Sequence, residues 1–281
     1  MPSDDHFEKH IEVNDSGQTA VQLIAESTSL SKQVIKQAMT KGAVWLSRDK
    51  HTQRLRRASR TLKPDDTLHF YYDAELLSTK PAEALLISDE GDYSIWHKPC
   101  GLLSQGSKWS DHCTITRWVS QHLKPERPAF IVHRLDRAAS GLILVAHSKK
   151  ATTALAELFQ SRQIEKNYEA IVAGRFPADP AIMTIAAPID DRHAISHIKL
   201  IKYSAKRDCS LVNVNIETGR KHQIRRHLAE AGFPILGDRL YGGAQETALD
   251  LQLTAVSLAF TCPITGKLRQ YSLENKLHPQ L

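Results

Sequence analysis

The sequence predicts an α+β fold, a large domain with a largely antiparallel mixed sheet preceded by a small α/β unit, and three observations predict it. After residue 84, strand-like apolar runs outnumber helical ones and lack the regular alternation of a doubly wound parallel sheet. Over residues 76–83 the composition shifts to small and polar types with Pro81 inside, which reads as a linker. Ahead of that linker the charge is lopsided. Between residues 32 and 63 ten basic side chains face one acid, Asp49, although the whole 281-residue chain nets only +6. Basicity gathered in one patch favours a polyanionic partner.

Residues 1–14 read as a tail or a single edge strand. From about Thr19, the apolar residues Val21, Ile24 and Ala25 recur on one helical face. A second helix follows a serine cap at Ser29 or Ser31. Val34, Ile35, Ala38 and Met39 form its apolar stripe, Lys32 and Lys36 lie on another side, and Gly42 stops it. Two short strands, 43–46 and 67–72, flank an arginine-rich loop, and Pro64-Asp65-Asp66 supplies the turn into the second. This unit spans 15–75. In the domain over 84–281, strands are expected at 84–88, 93–96, 142–146, 168–172, 211–216 and 251–258. Helices are expected at 114–123, 151–161 and 222–231, the last closed by Gly232.

Hydrophobic residues make up 41% of the chain and charged ones 24%, the balance of a soluble globular protein. No apolar stretch is long enough to span a bilayer, and the start, MPSDDHFEKH, lacks a secretory apolar region, so a cytoplasmic protein is expected. Four cysteines, at 100, 113, 209 and 262, show no CxxC pair and no clustering with histidine, which argues against structural zinc and a disulfide framework.

Functional groups concentrate in a few segments. His133-Arg134-Leu135-Asp136-Arg137 stands before a small-residue turn and the apolar run 142–146. A strand rising from that turn displays Asp136 at its lip. A carboxylate beside fixed positive charge stays ionised near neutral pH and is placed to bind a cation or to act as a nucleophile. On local spacing alone, however, an aspartate flanked by arginines is more often a solvated surface pair. Tyr168, after Lys166 and Asn167, opens a strand as either a core residue or a functional hydroxyl. Residues 218–228, TGRKHQIRRHL, carry six basic or imidazole side chains around a strand-to-helix junction. Gly219 there lets the chain turn, and the helix N-terminus offers free N–H groups to an anion. His222 and His227, five apart, do not share a helical face, which argues against a paired-histidine metal site. The last segment, 234–243, is glycine-rich and reads as a tight loop.

In this order and at these separations, HRLDRAASGLILVA, KNYEAIVAG, TGRKHQIRRHL and GFPILGDRLYGG resemble the four signature blocks of the RluA-type pseudouridine synthases. HKPCGLL at 97–103 resembles their opening block, usually written with Asn and Ala where this chain has His97 and Cys100. The resemblance spans roughly residues 93–263. The amino-terminal unit, with TSLSKQVIKQAMTKGAVWL, is similar to the S4 RNA-binding domain, with Gln18-Thr19-Ala20 in place of the customary Arg-Leu-Asp opening.

The resemblance implies isomerisation of uridine to pseudouridine in structured RNA, ribosomal RNA ahead of transfer RNA, by a monomer needing neither cofactor nor metal. It implies that Asp136 is the catalytic carboxylate, attacking C6 of the base or C1′ of the ribose, or assisting loss of a ribose proton. Arg225 matches the arginine paired with that aspartate, and Tyr168 the tyrosine that stacks on the target base and handles a proton. Arg134 looks like the side chain that takes the place of the extruded nucleotide, extrusion being required because the reacting atoms are out of reach inside a stack. Further RNA contacts are expected from His133, Arg137 and Arg220, and from Lys221, His222 and Gln223. In the first unit, Lys32, Lys36, Arg54, Arg56 and Arg57 suit phosphates. Two further positions depart from the family pattern: Ala139 replaces a usual Thr, and Thr254 a usual His. The rivals are a non-catalytic RNA-binding or ribosome-assembly factor and a carboxylate-dependent nuclease or glycosidase. The second would want another acid beside Asp136, and none is evident.

Overall fold

The computed structural model describes residues 5–242 and 249–281. The chain forms two compact units, Met1–Pro81 with Gln105–Trp118, and Ala82–Ser104 with Val119–Leu281.

The first unit runs β1 (His6–Glu12), α1 (Ala20–Ser27), α2 (Lys32–Thr40), β2 (Val44–Arg48), β3 (His51–Arg54), β4 (Thr67–Asp73) and α3 (Ala74–Ser78). Its sheet has the order β1-β4-β2-β3, and every pair is antiparallel. Thr19 starts α1 through a capping box, its hydroxyl accepting from the Gln22 N–H while the Gln22 side chain accepts from the Thr19 N–H. Ser31 caps α2 by accepting from Val34. The apolar stripes then meet the sheet in a core that includes Ile24, Ile35, Met39, Leu46, Leu68 and Phe70. Residues 6–12, for which the sequence offered two readings, are a paired edge strand. The expected linker starts late, because Asp73 accepts from Leu76 N–H and nucleates α3 over 74–78.

The arginine loop differs from expectation. Arg54 lies over the Trp45 ring, 4.2 Å from its centroid, and pairs with Asp111 at 3.3 Å. Arg56 donates to the Thr40 carbonyl at 2.8 Å and also pairs with Asp111. Both guanidiniums are thus committed inside the unit, through a carboxylate on the segment Gln105–Trp118 that no local pattern announces. Lys32, Lys36 and Arg57 remain exposed.

α4 (Ile115–His122) carries the chain back to the second unit, whose strands are β5 (Leu85–Asp89), β6 (Tyr93–Lys98), β7 (Phe130–Ile131), β8 (Ser140–Ala146), β9 (Ile164–Ala173), β10 (Met183–Ile185), β11 (Ser196–Ser204), β12 (Cys209–Ile216), β13 (Leu253–Thr261) and β14 (Leu268–Ser272). They form one sheet in the order β10-β11-β12-β9-β13-β8-β6-β5, with β14 beside β13 and β7 beside β8. Among the described residues only β8 and β13 pair in parallel. α5 (Lys149–Gln160), capped by Ser148, packs Ala151, Leu155 and Leu158 into a core with Tyr93, Ile95, Leu144 and Phe260. α6 (Gln223–Glu230) buries Ile224 and Leu228. β8 is apolar and buried from Leu142 to Ala146, between its neighbours and α5, the pattern of a central strand. Gly141 sits where β8 meets β13 so closely that a Cβ would collide with the Ala255 backbone. No described helix is long and apolar enough to cross a membrane.

Candidate active site

Sheet register brings the site together. Gly141 on β8 lies opposite Ala255 on β13, which lies opposite Tyr168 on β9. The loop that precedes β8 and carries Asp136 is therefore delivered beside Tyr168, although 32 positions separate them in the sequence. Between the two lies a cleft of about 560 Å³, lined also by Arg134, Arg225, Lys166 and the turn after β12.

The carboxylate loop is held from behind. Lys98 is fully buried, and its ammonium donates to the carbonyls of Pro99, Leu102 and Ala139 at 3.0, 2.9 and 2.6 Å. Burial pushes its pKa down to about 8, and the negative charge of Asp136 opposes that shift. Ser104 clasps Leu135 from both sides, accepting from its N–H at 3.0 Å and donating to its carbonyl at 2.7 Å. Thr254 has a structural task, its hydroxyl lying 2.8 Å from that of Ser140 across the parallel pair. Lys98→Met should cost about 3 kcal/mol in urea unfolding, because it leaves buried carbonyls without a donor. A loss below 1 kcal/mol would mean the loop needs no such anchor.

Asp136 is partly open to the cleft, with 27% of its side chain exposed, and its Oδ2 accepts from Arg225 Nη1 at 3.4 Å. Arg225 has a firmer partner. Its Nε and Nη2 both donate to Asp238, each at 2.7 Å, in a planar two-point pair. Arg225 is 4% exposed and Asp238 2%. Asp238 also accepts from the N–H groups of Leu240 and Tyr241 at 2.9 and 3.1 Å. Burial pushes the Asp238 carboxyl up, but the Arg225 and backbone hydrogen bonds outweigh it and leave the pKa below the usual carboxylate value. Asp238 thus fixes the guanidinium, and the guanidinium presents one remaining donor to Asp136.

The sequence marked the segment containing Asp238 as a glycine-rich loop and gave the acid no role. The signal was the Gly237-Asp238 pair, which marks a turn that the aspartate side chain caps but says nothing of its arginine. Gly237 is needed because a Cβ there would run into the Asp250 backbone. Gly243, the end of that segment, lies outside the described residues.

Tyr168 is buried, and both burial and the charge of Asp136 push its phenol above the ordinary range, so it stays protonated at neutral pH and can donate but not serve as a phenolate. His222 takes the left-handed backbone conformation, φ 56°, at the mouth of α6. The turn expected at Gly219 is therefore made at His222, an uncommon conformation for a non-glycine residue that recurs at functional sites. Its Nδ1 lies 3.0 Å from the Tyr241 hydroxyl and its Nε2 3.8 Å from Asp136.

Other expected RNA contacts divide by exposure. Arg134 is exposed at the cleft and makes no ion pair among the described residues, and Arg137 and Lys221 are exposed as well. Arg220 lines the cleft while donating to the His193 carbonyl at 3.0 Å. His133 and Gln223 also line the cleft, where each is tied to the scaffold. His133 stacks on Phe159 with centroids 4.2 Å apart and accepts from the Leu144 N–H at 2.9 Å. Burial pushes its pKa down to about 3, so it is a neutral support. Gln223 is buried with its amide spent on Thr218, Arg220, Ile195 and Ser196, which shapes the cleft floor and leaves nothing to offer a ligand.

A carboxylate steered by an immobilised guanidinium, facing a protonated phenol under a basic rim, suits covalent or charge-stabilising chemistry on an anionic polymer. Comparison with known proteins agrees in kind. Residues 92–230 match the family described as RNA pseudouridylate synthase. An uncharacterized RNA pseudouridine synthase of Aquifex aeolicus is 30% identical over 275 residues, covering 87% of this chain and 85% of that protein. Ribosomal large subunit pseudouridine synthase D of Haemophilus influenzae is 30% identical over 221 residues, covering 66% and 65%. Human RNA pseudouridylate synthase domain containing 1 shares the fold, with a TM-score of 0.60 at 19% identity over 72% of this chain and 88% of that one. The chain belongs to the RNA pseudouridylate synthase family, in its RluA type, whose members are isomerases.

Proposed function

We propose that this protein converts a uridine of large-subunit ribosomal RNA to pseudouridine in the cytoplasm, with Asp136 as the catalytic carboxylate. The reaction detaches uracil from C1′, turns it and rejoins it through C5, so composition is unchanged and no redox partner is needed. Asp136, partly exposed and aimed by the Arg225–Asp238 pair, is the observation that carries the reading. It supplies the negative oxygen that a sugar or pyrimidine centre requires. Tyr168 lies against the base and relays a proton, giving one to the detached base and recovering the one that C5 sheds, so that it ends protonated, while Arg134 fills the gap left in the RNA stack. The ribosomal target is supported by the ribosomal name of the Haemophilus relative. It is also supported by the exposed Lys32, Lys36 and Arg57 of the first unit, read as an S4-like RNA-binding face.

Unmodified large-subunit rRNA transcript, incubated with the protein and digested to nucleosides, should gain pseudouridine. Gain in transfer RNA transcripts alone would overturn the ribosomal target. Tyr168→Phe should keep fold and RNA affinity but lower the rate about 10²- to 10⁴-fold, the range for removing a positioned proton donor. An unchanged single-turnover rate would remove the hydroxyl from the chemistry.

A further inference from the structure

Lys166 stands two positions before Tyr168 on β9, so both side chains leave one face of the strand, and both line the cleft. Its ammonium has no ion-pair partner among the described residues. The Phe159 ring centroid lies 5.9 Å from Nζ, and Gly219 approaches it so closely that a Cβ there would lie 4.0 Å away. The acids next to it in the chain or on the cleft lining have other partners: Glu165, on the opposite face of the strand, accepts from Asn167 at 3.4 Å, Glu217 lies 2.8 Å from His197, and Asp136 accepts from Arg225. Burial pushes the Lys166 pKa below its ordinary value, with no opposing charge to compensate. Lys166 and Arg162 also line an adjoining groove of about 620 Å³, which places them where the two spaces meet.

A half-buried ammonium without a counter-ion is costly unless an anion arrives with the ligand. RNA supplies one, since each base is joined through a single ribose to a phosphate. We propose that Lys166 holds a phosphate flanking the nucleotide whose base lies against Tyr168, forming a phosphate subsite of the cleft. This rests on the functional reading above. The subsite makes the enzyme select a uridylate within a chain over a free nucleoside, and it uses a point charge rather than the two-point grip of arginine.

The test compares wild type with Lys166→Met, which keeps the stem on Phe159, and with Lys166→Arg. The probe is a transcript in which wild type forms pseudouridine. Lys166→Met should bind it about tenfold more weakly, the loss of one charged hydrogen bond. The slope of log affinity against log salt should flatten by about 0.7 to 0.9, one phosphate contact. Lys166→Arg should restore the slope. In a short oligonucleotide substrate, a neutral methylphosphonate at the contacted flanking position should weaken wild type equally and Lys166→Met no further. A wild-type slope in Lys166→Met, or an undiminished methylphosphonate penalty at both flanks, would overturn the subsite while leaving the enzyme's function standing. Failure of wild type to form pseudouridine in any RNA would instead overturn the reading beneath it. Equal urea midpoints for the three proteins exclude misfolding as the cause.

Discussion

Asp136→Asn should fold and bind RNA as wild type does, and lose pseudouridine formation on the order of 10⁴-fold or more, the scale seen when an essential reacting group is removed. The separation of fold from activity follows from the geometry. Asp136 is partly exposed, so the amide is not stranded in the interior. Arg225 keeps its two-point pair with Asp238 at 2.7 Å and is not left as an uncompensated buried charge. The amide is isosteric but lacks the negative oxygen. Single-turnover assays at saturating enzyme, with urea midpoints and RNA affinity measured beside them, decide the matter. A variant within tenfold of the wild-type rate would take the nucleophile role away from Asp136.

Asp238→Asn should be the more damaging change to the protein itself. It breaks a buried ion pair from one side, leaving Arg225 with the 3.4 Å contact to Asp136 as its remaining ion pair, and such one-sided breaks cost about 3–5 kcal/mol. Activity should fall about 10²-fold even where the variant is folded, because the guanidinium that aims Asp136 loses its fixed orientation. The pH dependence carries a sign. The Asp238 carboxyl titrates lower in the folded chain than in the unfolded one, so its contribution is complete above about pH 4, the unfolded value, and is lost as pH falls through the lower folded value. The stability gap between wild type and Asp238→Asn should therefore shrink on acidification below pH 4, as urea unfolding across a pH series would show. A gap independent of pH would mean that packing, not charge, is what the substitution removes.

Much of this architecture was legible beforehand, for reasons of range. Helix stripes such as Val34, Ile35, Ala38 and Met39, caps such as Ser31, and the apolar run of β8 depend on residues within a turn or a strand of each other, so their signals lie in the sequence. β11 was missed because its lysines break the apolar run, leaving few of its side chains buried. At the site, Asp136, Tyr168 and Arg225 were named in advance from ordered motifs, and the cleft gathers all three.

Partner choice was not legible. Arg225 was expected to belong to Asp136, yet its short bonds go to Asp238. Arg54 and Arg56 were expected on phosphates, yet both bind Asp111. His133 and Gln223 line the cleft as expected of RNA-facing residues, but His133 Nε2 and the Gln223 amide are also bonded to the scaffold. The sequence by itself determined the family and the fold class and named the candidate groups that the cleft gathers, because motif order and local periodicity survive without coordinates. Only the tertiary structure decided which charge is spent on which. Pairing is settled by distance and burial, which the register of β8, β13 and β9 imposes on residues far apart in the chain.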